Sequence, residues 1–415
     1  MKFEKLKIED WKQFKIIETE FHPKLTILTG ANSSGKTTIL NLLAQHFGRS
    51  AEELSTPTKD ITSGIIRFFA RLWKDVVNNT PTIGKLTYDD STEGILNLPQ
   101  GDSATYNISI EGRKDVKGLY IPSHRPVFSY RAISQLPTKK RSRSEAFSLV
   151  ANSMWERTFG NSGVQPSNYH IKETLLTWAV YGFGNEAIES DQEQIDNYKQ
   201  FEEVLKKVLP KQLGFNRFTV RNSEVVLDTE SGQFMIDAVS GGVSAIIDMA
   251  WQIFMLSSSL GEENFVVLID EIENHLHATM QRTVLPDFIH AFPNAQFIVS
   301  THSPLIVGSV EESNVYALQF GEDNRVVSIK LDLINKSKSA SDILRDVLGV
   351  PFTMPIWVEN KLGEITQKYT SEKITDDLFI KMREELKNIG LEYLIPDAIS
   401  KVVEDKKTDT NDKAH

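Results

Sequence analysis

Cysteine is absent from all 415 residues. Disulfide scaffolds, thiolate nucleophiles and cysteine-ligated zinc or iron–sulfur centres are excluded with it, and a cytoplasmic location is expected. Long apolar runs are missing too. The richest stretch, Ala245 to Leu256, contains Asp248 and Gln252 and is too short to span a bilayer. The start, Met1-Lys2-Phe3-Glu4-Lys5, has no apolar h-region, so no secretory leader and no membrane partner are expected. An excess of positive charge is the third absence: 46 Lys and Arg face 56 Asp and Glu, a formal net charge of −10. That balance argues against a large nonspecific nucleic-acid surface but leaves room for a local basic groove. No internal repeat is visible. A hydrophobic fraction of 40% and a charged fraction of 25% fit a globular chain of one large domain or two to three smaller ones.

Short apolar alternations open the chain: Phe3, Leu6 and Ile8, then Phe14 and Ile16, then Leu25, Ile27 and Leu28 after a His22-Pro23 turn. They read as strands. Beyond Gly30 the spacing becomes helical, with Ile39, Leu40, Leu42, Leu43 and Phe47, and Gly48 marks a stop. Residues 51–235 are less regular. Ile65 to Val77 has helical spacing, 84–121 reads as short strands, 186–209 as a charged amphipathic helix, and Phe218–Leu227 as a hairpin. From 236 to 310 a helix near Ser240, the strand Phe265–Ile269, a helix His277–Phe292 and the strand Gln296–Val299 alternate, which implies a parallel sheet covered on both faces. Residues 341–395 read as helical, and the polar tail from Glu404 as disordered.

Gly30-Ala31-Asn32-Ser33-Ser34-Gly35-Lys36-Thr37 matches G-x-x-x-x-G-K-[ST] between an apolar strand and a helix. Glycines let backbone N–H groups wrap phosphates, Lys36 reaches the β and γ oxygens, and the Thr37 hydroxyl ligates Mg²⁺. Five apolar residues, Phe265 to Ile269, end in Asp270-Glu271. Asp270 is placed to hold Mg²⁺ and Glu271 to activate a water as general base. The next apolar strand ends in Ser300-Thr301-His302-Ser303-Pro304, so His302 stands where neighbouring strands end in nucleotide groups. Ser240-Gly241-Gly242, opening an apolar helix, offers a hydroxyl and backbone amides as an anion site.

GANSSGKTT, AVSGG, VVLIDEIENHLHA and FIVSTHSP occur in that order over about 1–48 and 230–310. This set resembles the ABC-type ATPase heads of the SMC/RecF class, and the overcoming-lysogenization-defect-like bacterial ATPases in particular. The resemblance implies an α/β fold: an ABC-ATPase head with a P-loop parallel core sheet, an antiparallel β subdomain, a helical lateral insertion and a small helical C-terminal extension. The expected division is a core of 1–50 and 236–335, an insertion over 51–235, an extension over 336–403 and a tail over 404–415. It further implies ATP and Mg²⁺ as cofactors, ATP contacts from Asn32, Ser33, Ser34, Gly35, Lys36, Thr37 and Thr38, and Mg²⁺ at Thr37 and Asp270. Glu271 and His302 would be catalytic. Ser240, Gly241 and Gly242 would contact the γ-phosphate held by another subunit in a head-to-tail dimer or higher oligomer, with Asn274–His277 crossing the interface.

The sequence departs from the family's pattern at Ser33, where many members have Gly, at Val243 in place of Gln or Glu, and at Ile272 in place of Pro. The strand Gly118–Ile121 leads into Pro122-Ser123-His124-Arg125 where the glutamine loop belongs, without a Gln; Arg125 stands there as a candidate phosphate or interface contact. Ile356-Trp357-Val358-Glu359 resembles the strand and Glu that open a metal-binding TOPRIM nuclease domain. No later apolar strand ends in Asp-x-Asp, so a nuclease domain is not expected.

Heads of this kind are similar to the ATPase subunits of the Septu, nuclease-linked retron and PARIS antiphage systems. The expected function is an ATP-hydrolysing subunit that senses infection and controls a separate effector, a nuclease encoded nearby, with DNA or a phage component as a further partner. The alternatives are a RecF-like DNA repair clamp without a toxic effector, and a non-catalytic scaffold glued by ATP. Lys139-Lys140-Arg141-Ser142-Arg143, near Arg125 and Arg131, is the one dense basic run; it reads equally as a phosphate-backbone contact and as a solvated loop.

Overall fold

Phe3, Leu6, Ile8 and Trp11 all point inward from the first strand, whose charged residues face outward or lie half-covered. A computed structural model describes residues 1–48, 52–59, 66–69, 82–99, 103–125, 127–158, 165–336, 338–348, 356–370, 375–396, 398–399 and 402. The elements in chain order are β1 (Phe3–Trp11), β2 (Phe14–Glu20), β3 (Leu25–Gly30), α1 (Lys36–Ala44), β4 (Glu53–Leu54), β5 (Thr56–Lys59), β6 (Ile66–Phe69), β7 (Thr82–Tyr88), β8 (Glu93–Asn97), β9 (Thr105–Tyr106), β10 (Ser109–Glu111) and β11 (Gly118–Ile121). Then come α2 (Arg143–Thr158), α3 (Ser167–Phe183), α4 (Gln192–Val208), β12 (Phe215–Arg221), β13 (Glu224–Thr229), β14 (Gly232–Met235), α5 (Gly241–Leu260), β15 (Phe265–Ile269), α6 (Ala278–Ala291), β16 (Ala295–Thr301), α7 (Pro304–Val307), β17 (Asn314–Phe320) and β18 (Val326–Lys330).

Eleven of these strands form one sheet, in the order β10-β8-β7-β1-β2-β18-β17-β3-β16-β15-β11. The run β17-β3-β16-β15-β11 is parallel throughout; β10, β8, β7, β1 and β2 are antiparallel neighbours. Side chains alternate between two cores. Phe265, Val267, Ile269, Phe297 and Val299 enter the core of α3, α4, α5 and α6, where Trp178 stacks on Trp251. Val266, Leu268 and Ile298 join Ile39, Leu40 and Leu43 of α1 on the other face. Strands buried on both faces explain the unbroken apolar runs in the sequence.

Parts of 51–235 belong to this same sheet: β7, β8 and β10 extend its antiparallel side, and β11 closes the parallel side beside β15. The helix read over Ile65–Val77 is corrected where it is described, because Ile66–Phe69 is a strand paired antiparallel with Thr56–Lys59. A short apolar run satisfies helical and strand spacing alike, and the partner strand decides. Residues 70–77 and the tail from Glu404 lie outside the described residues. The hairpin of β12 and β13 forms as read, while the amphipathic helix starts late, at Gln192, because Asp191 caps it by accepting from the Gln194 N–H.

The chain divides into two compact units, Met1–Ile343 with Val347–Gly349, and Leu344–Asp346 with Val350–His415. Within the second, Val358, Leu362 and Ile365 of a helix Ile356–Thr370 share a core with Leu378, Met382 and Leu386 of a helix Asp376–Asn388. Ile356 to Glu359 therefore form a helix start rather than a strand. No helix among the described residues is long and apolar enough to cross a membrane.

Candidate nucleotide site

Parallel register brings four strand ends to one edge. Ile121 stands beside Ile269, Ile269 beside Val299, and Thr301 beside Thr29. The loops that follow β3, β11, β15 and β16 therefore meet, which is where open α/β sheets place ligands.

The P-loop leaves β3 at Gly30 (φ 140°), where a Cβ would lie 2.3 Å from the Leu318 carbonyl oxygen. Ser33 adopts φ 63°, a left-handed conformation that glycine takes without strain. Gly35 (φ 96°) precedes α1, and a Cβ there would strike the Phe14 ring. Asn32 and Ser33 are exposed and Thr38 half-buried. Ser34 is buried, and its hydroxyl has no hydrogen-bond partner among the described residues. Lys36, 5% exposed, folds back onto the carbonyl oxygens of Gly30 and Ala31 at 3.1 and 3.0 Å. Burial pulls its pKa down to about 8 against the opposing fields of Asp270, Glu271 and Glu273. A buried lysine on carbonyls, an orphaned serine hydroxyl and a glycine-bounded loop at a helix start fit a phosphate chain.

Thr37 Oγ1 lies 3.1 and 3.0 Å from the two carboxylate oxygens of Asp270. Ser300 donates to Asp270 Oδ1 at 2.5 Å, and burial nevertheless holds this carboxyl above its ordinary pKa. Among the described residues no three His, Cys, Asp or Glu side chains cluster as a metal cage. One hydroxyl and one carboxylate suit Mg²⁺, which keeps waters and substrate phosphates as its other ligands.

Glu271 sits at φ 45°. Its N–H donates to Ser300 Oγ at 2.8 Å, and its Oε2 accepts from Asn274 Nδ2 at 2.8 Å. His302 Nε2 is 4.0 Å from Glu271 Oε1. Burial first, and then the Lys36 charge, lower the pKa of His302, so the ring is neutral at pH 7. Glu273 fixes the histidine's backbone, accepting from its N–H at 2.5 Å and from the Thr301 hydroxyl at 2.8 Å. A carboxylate and a neutral imidazole beside a phosphate loop can take a proton and contact a phosphate oxygen.

Ser240 is exposed at the start of α5, and its hydroxyl caps that helix by accepting from the Val243 N–H. Gly242 lets α6 approach: a Cβ there would lie 2.8 Å from Met280 Sδ and 3.1 Å from the His275 carbonyl oxygen. Arg125 is buried, with its guanidinium on backbone carbonyls of 122 and 270–272. Sequence reasoning missed Ser300 and Glu273 as site residues, and placed Asn274 at the interface rather than on Glu271. The signal was present: Ser300 ends the strand beside the one carrying Asp270, and Glu273 and Asn274 lie within three residues of Glu271.

Lys139, Lys140 and Arg141 of the basic run line a surface cleft with Ser144 and Glu145, and part of the run is tied down. Lys140 pairs with Asp191, Arg141 with Glu173 at 2.6 Å, and Arg143 bonds Asn197 and Gln200.

Residues 122–308 match the family described as "AAA domain, putative AbiEii toxin, Type IV TA system", and residues 1–98 match the family "AAA ATPase domain". The chain is 26% identical over 197 residues to the "Retron Ec83 probable ATPase" of Escherichia coli, which covers 45% of this chain and 31% of that protein. It is 20% identical over 370 residues to the "Septu protein PtuA" of Bacillus thuringiensis, covering 85% and 86%. Among solved structures, the SMC head domain from Thermotoga maritima aligns with 80% of this chain and all of its own, at 12% identity and a TM-score of 0.45. Two blocks of the chain, residues 1–98 and 122–308, are thus similar to families of AAA-type ATPase domains.

Proposed function

We propose that this chain is the ATPase subunit of an antiphage defence complex, closing head to tail on a second copy around ATP and controlling a separate effector, a nuclease. Lys36 and the backbone of Asn32 to Thr38 bind the phosphates, and Thr37 with Asp270 would hold Mg²⁺, which would supply charge neutralisation there. Glu271 accepts the proton of a water whose oxygen attacks the γ-phosphorus as the bond to ADP breaks. His302 contacts the γ-phosphate.

The observation that carries the dimer is the exposure of Ser240, with Gly241 half-buried beside it, at the start of the 20-residue helix α5. A capped helix start facing solvent suits a phosphate presented by another chain. Similarity to the Septu protein along 85% of the chain supports the defence role. A DNA clamp needs free cations along a groove; Arg141 and Arg143 are instead engaged within the protein, while Lys140 pairs with Asp191 at the surface.

The test is native mass spectrometry on the tagged chain co-expressed with its genomic neighbours, with and without ATP. A stoichiometric complex with a nuclease or toxin is expected. A bare ATP-dependent dimer whose hydrolysis rises with DNA contradicts the defence reading.

A further inference from the structure

A guanidinium taken out of water needs compensation from every side. Arg125 is 3% exposed; its hydrogen bonds go to backbone, Nε has no partner among the described residues, and the charges of Asp248, Glu273, Asp270 and Glu271 support the cation. Nη1 donates to the carbonyl oxygens of Pro122 at 3.1 Å and Asp270 at 3.0 Å. Nη2 donates to those of Glu271 at 2.7 Å and Ile272 at 3.4 Å. Three consecutive carbonyls can converge on one group only if the chain turns sharply there, and Glu271 supplies the turn with φ 45°. A non-glycine residue held in that region costs on the order of 1 kcal/mol or more, so something must hold it.

Two further contacts lace the same loops. Asn274 Nδ2 donates to the Ser123 carbonyl oxygen at 3.2 Å, and His275 Nε2 lies 3.1 Å from the Arg125 carbonyl oxygen. The loops leave adjacent parallel strands, with Asp270 N–H on the Ile121 carbonyl oxygen at 2.9 Å. The loop after β11 is thus bound to the backbone of the carboxylate pair.

We infer that Arg125 is a positioning residue for Glu271. It clamps the carbonyls of 270–272, fixes the left-handed turn, and so aims the Glu271 carboxylate at the point where Asn274 Nδ2 and His302 Nε2 meet it. The inference rests on Glu271 as the general base. An arginine that merely stabilised the fold would not be tied to turnover through Glu271.

The full chain is compared as wild type, Arg125→Met and Arg125→Lys, each with and without Glu271→Gln, for ATP turnover, equilibrium ATP affinity and melting temperature. In Arg125→Met kcat falls about 10²-fold while ATP affinity stays within about threefold, because a misaimed base costs the transition state and not the ground state. Arg125→Lys keeps the buried charge but reaches fewer carbonyls, and it recovers about tenfold of that loss. Added to Glu271→Gln, neither change lowers turnover further. Unchanged kcat in Arg125→Met, affinity lost in step with kcat, or losses that multiply with Glu271→Gln overturn the inference. Should Arg125→Met fail to fold, wild-type kcat in Arg125→Lys overturns it equally. Wild-type turnover in Glu271→Gln alone sinks the base assignment instead, which keeps the two failures distinct.

Discussion

Glu273 Oε1 accepts the backbone N–H of His302 at 2.5 Å, across the gap between two neighbouring strand ends. Its other oxygen takes the Thr301 hydroxyl at 2.8 Å. One carboxylate therefore sets the height of the histidine over the site. Glu273→Ala is expected to lower kcat about tenfold, since a charge-assisted hydrogen bond contributes about 1.5–3 kcal/mol and only part of it bears on the transition state. Steady-state turnover with equilibrium ATP binding checks this, and an unchanged kcat contradicts it.

Lys36 gives the pH dependence. Its ligand-free pKa is about 8, lowered by burial. As pH rises through 8 the charge is lost, so ATP affinity falls by up to about tenfold per pH unit above that point. Binding there takes up a proton, visible as a buffer-dependent heat in calorimetry. Stability runs the other way: the folded pKa lies below the unfolded one, so the burial penalty is complete below pH 8 and fades between 8 and 10.5. Affinity that stays flat from pH 7 to 9.5 contradicts the assignment.

Gly30 tests the geometry of the loop. A Cβ there would sit 2.3 Å from the backbone oxygen of Leu318, at a φ of 140°. Gly30→Ala is expected to destabilise the protein by about 2 kcal/mol or more and to weaken ATP binding with it. Denaturant melts of the two proteins decide; equal midpoints contradict the close approach of β17.

Arg141 tests the basic run. Its side chain is 12% exposed, against 13% for its partner Glu173, and its backbone carbonyl accepts from Trp178 Nε1 at 3.0 Å. Arg141→Ala is expected to cost about 2–4 kcal/mol, as for a largely buried pair left with one charge. The salt dependence of any DNA binding should not change. A stable variant that binds DNA more weakly restores the phosphate-backbone reading.

The placement of the site residues was legible because it is local. The P-loop, Asp270-Glu271 and His302 each follow an apolar strand directly, so strand polarity alone brings them to one edge. What was illegible depends on partners distant in sequence. Ile66–Phe69 is a strand because Thr56–Lys59 lies beside it. Arg141 and Arg143 find their partners Glu173 and Asn197 only when α3 and α4 fold beside them. Arg125 looks like a phosphate contact by position; its burial against residues 145 to 147 places further along the chain shows otherwise.

The most direct test of the account is native mass spectrometry of Glu271→Gln and Lys36→Ala with Mg²⁺ and ATP. Glu271→Gln should bind ATP, fail to turn it over and accumulate as a dimer carrying two ATP molecules, while Lys36→Ala stays nucleotide-free and monomeric. Wild-type hydrolysis by Glu271→Gln, or an ATP-loaded Glu271→Gln that remains a monomer, contradicts the account.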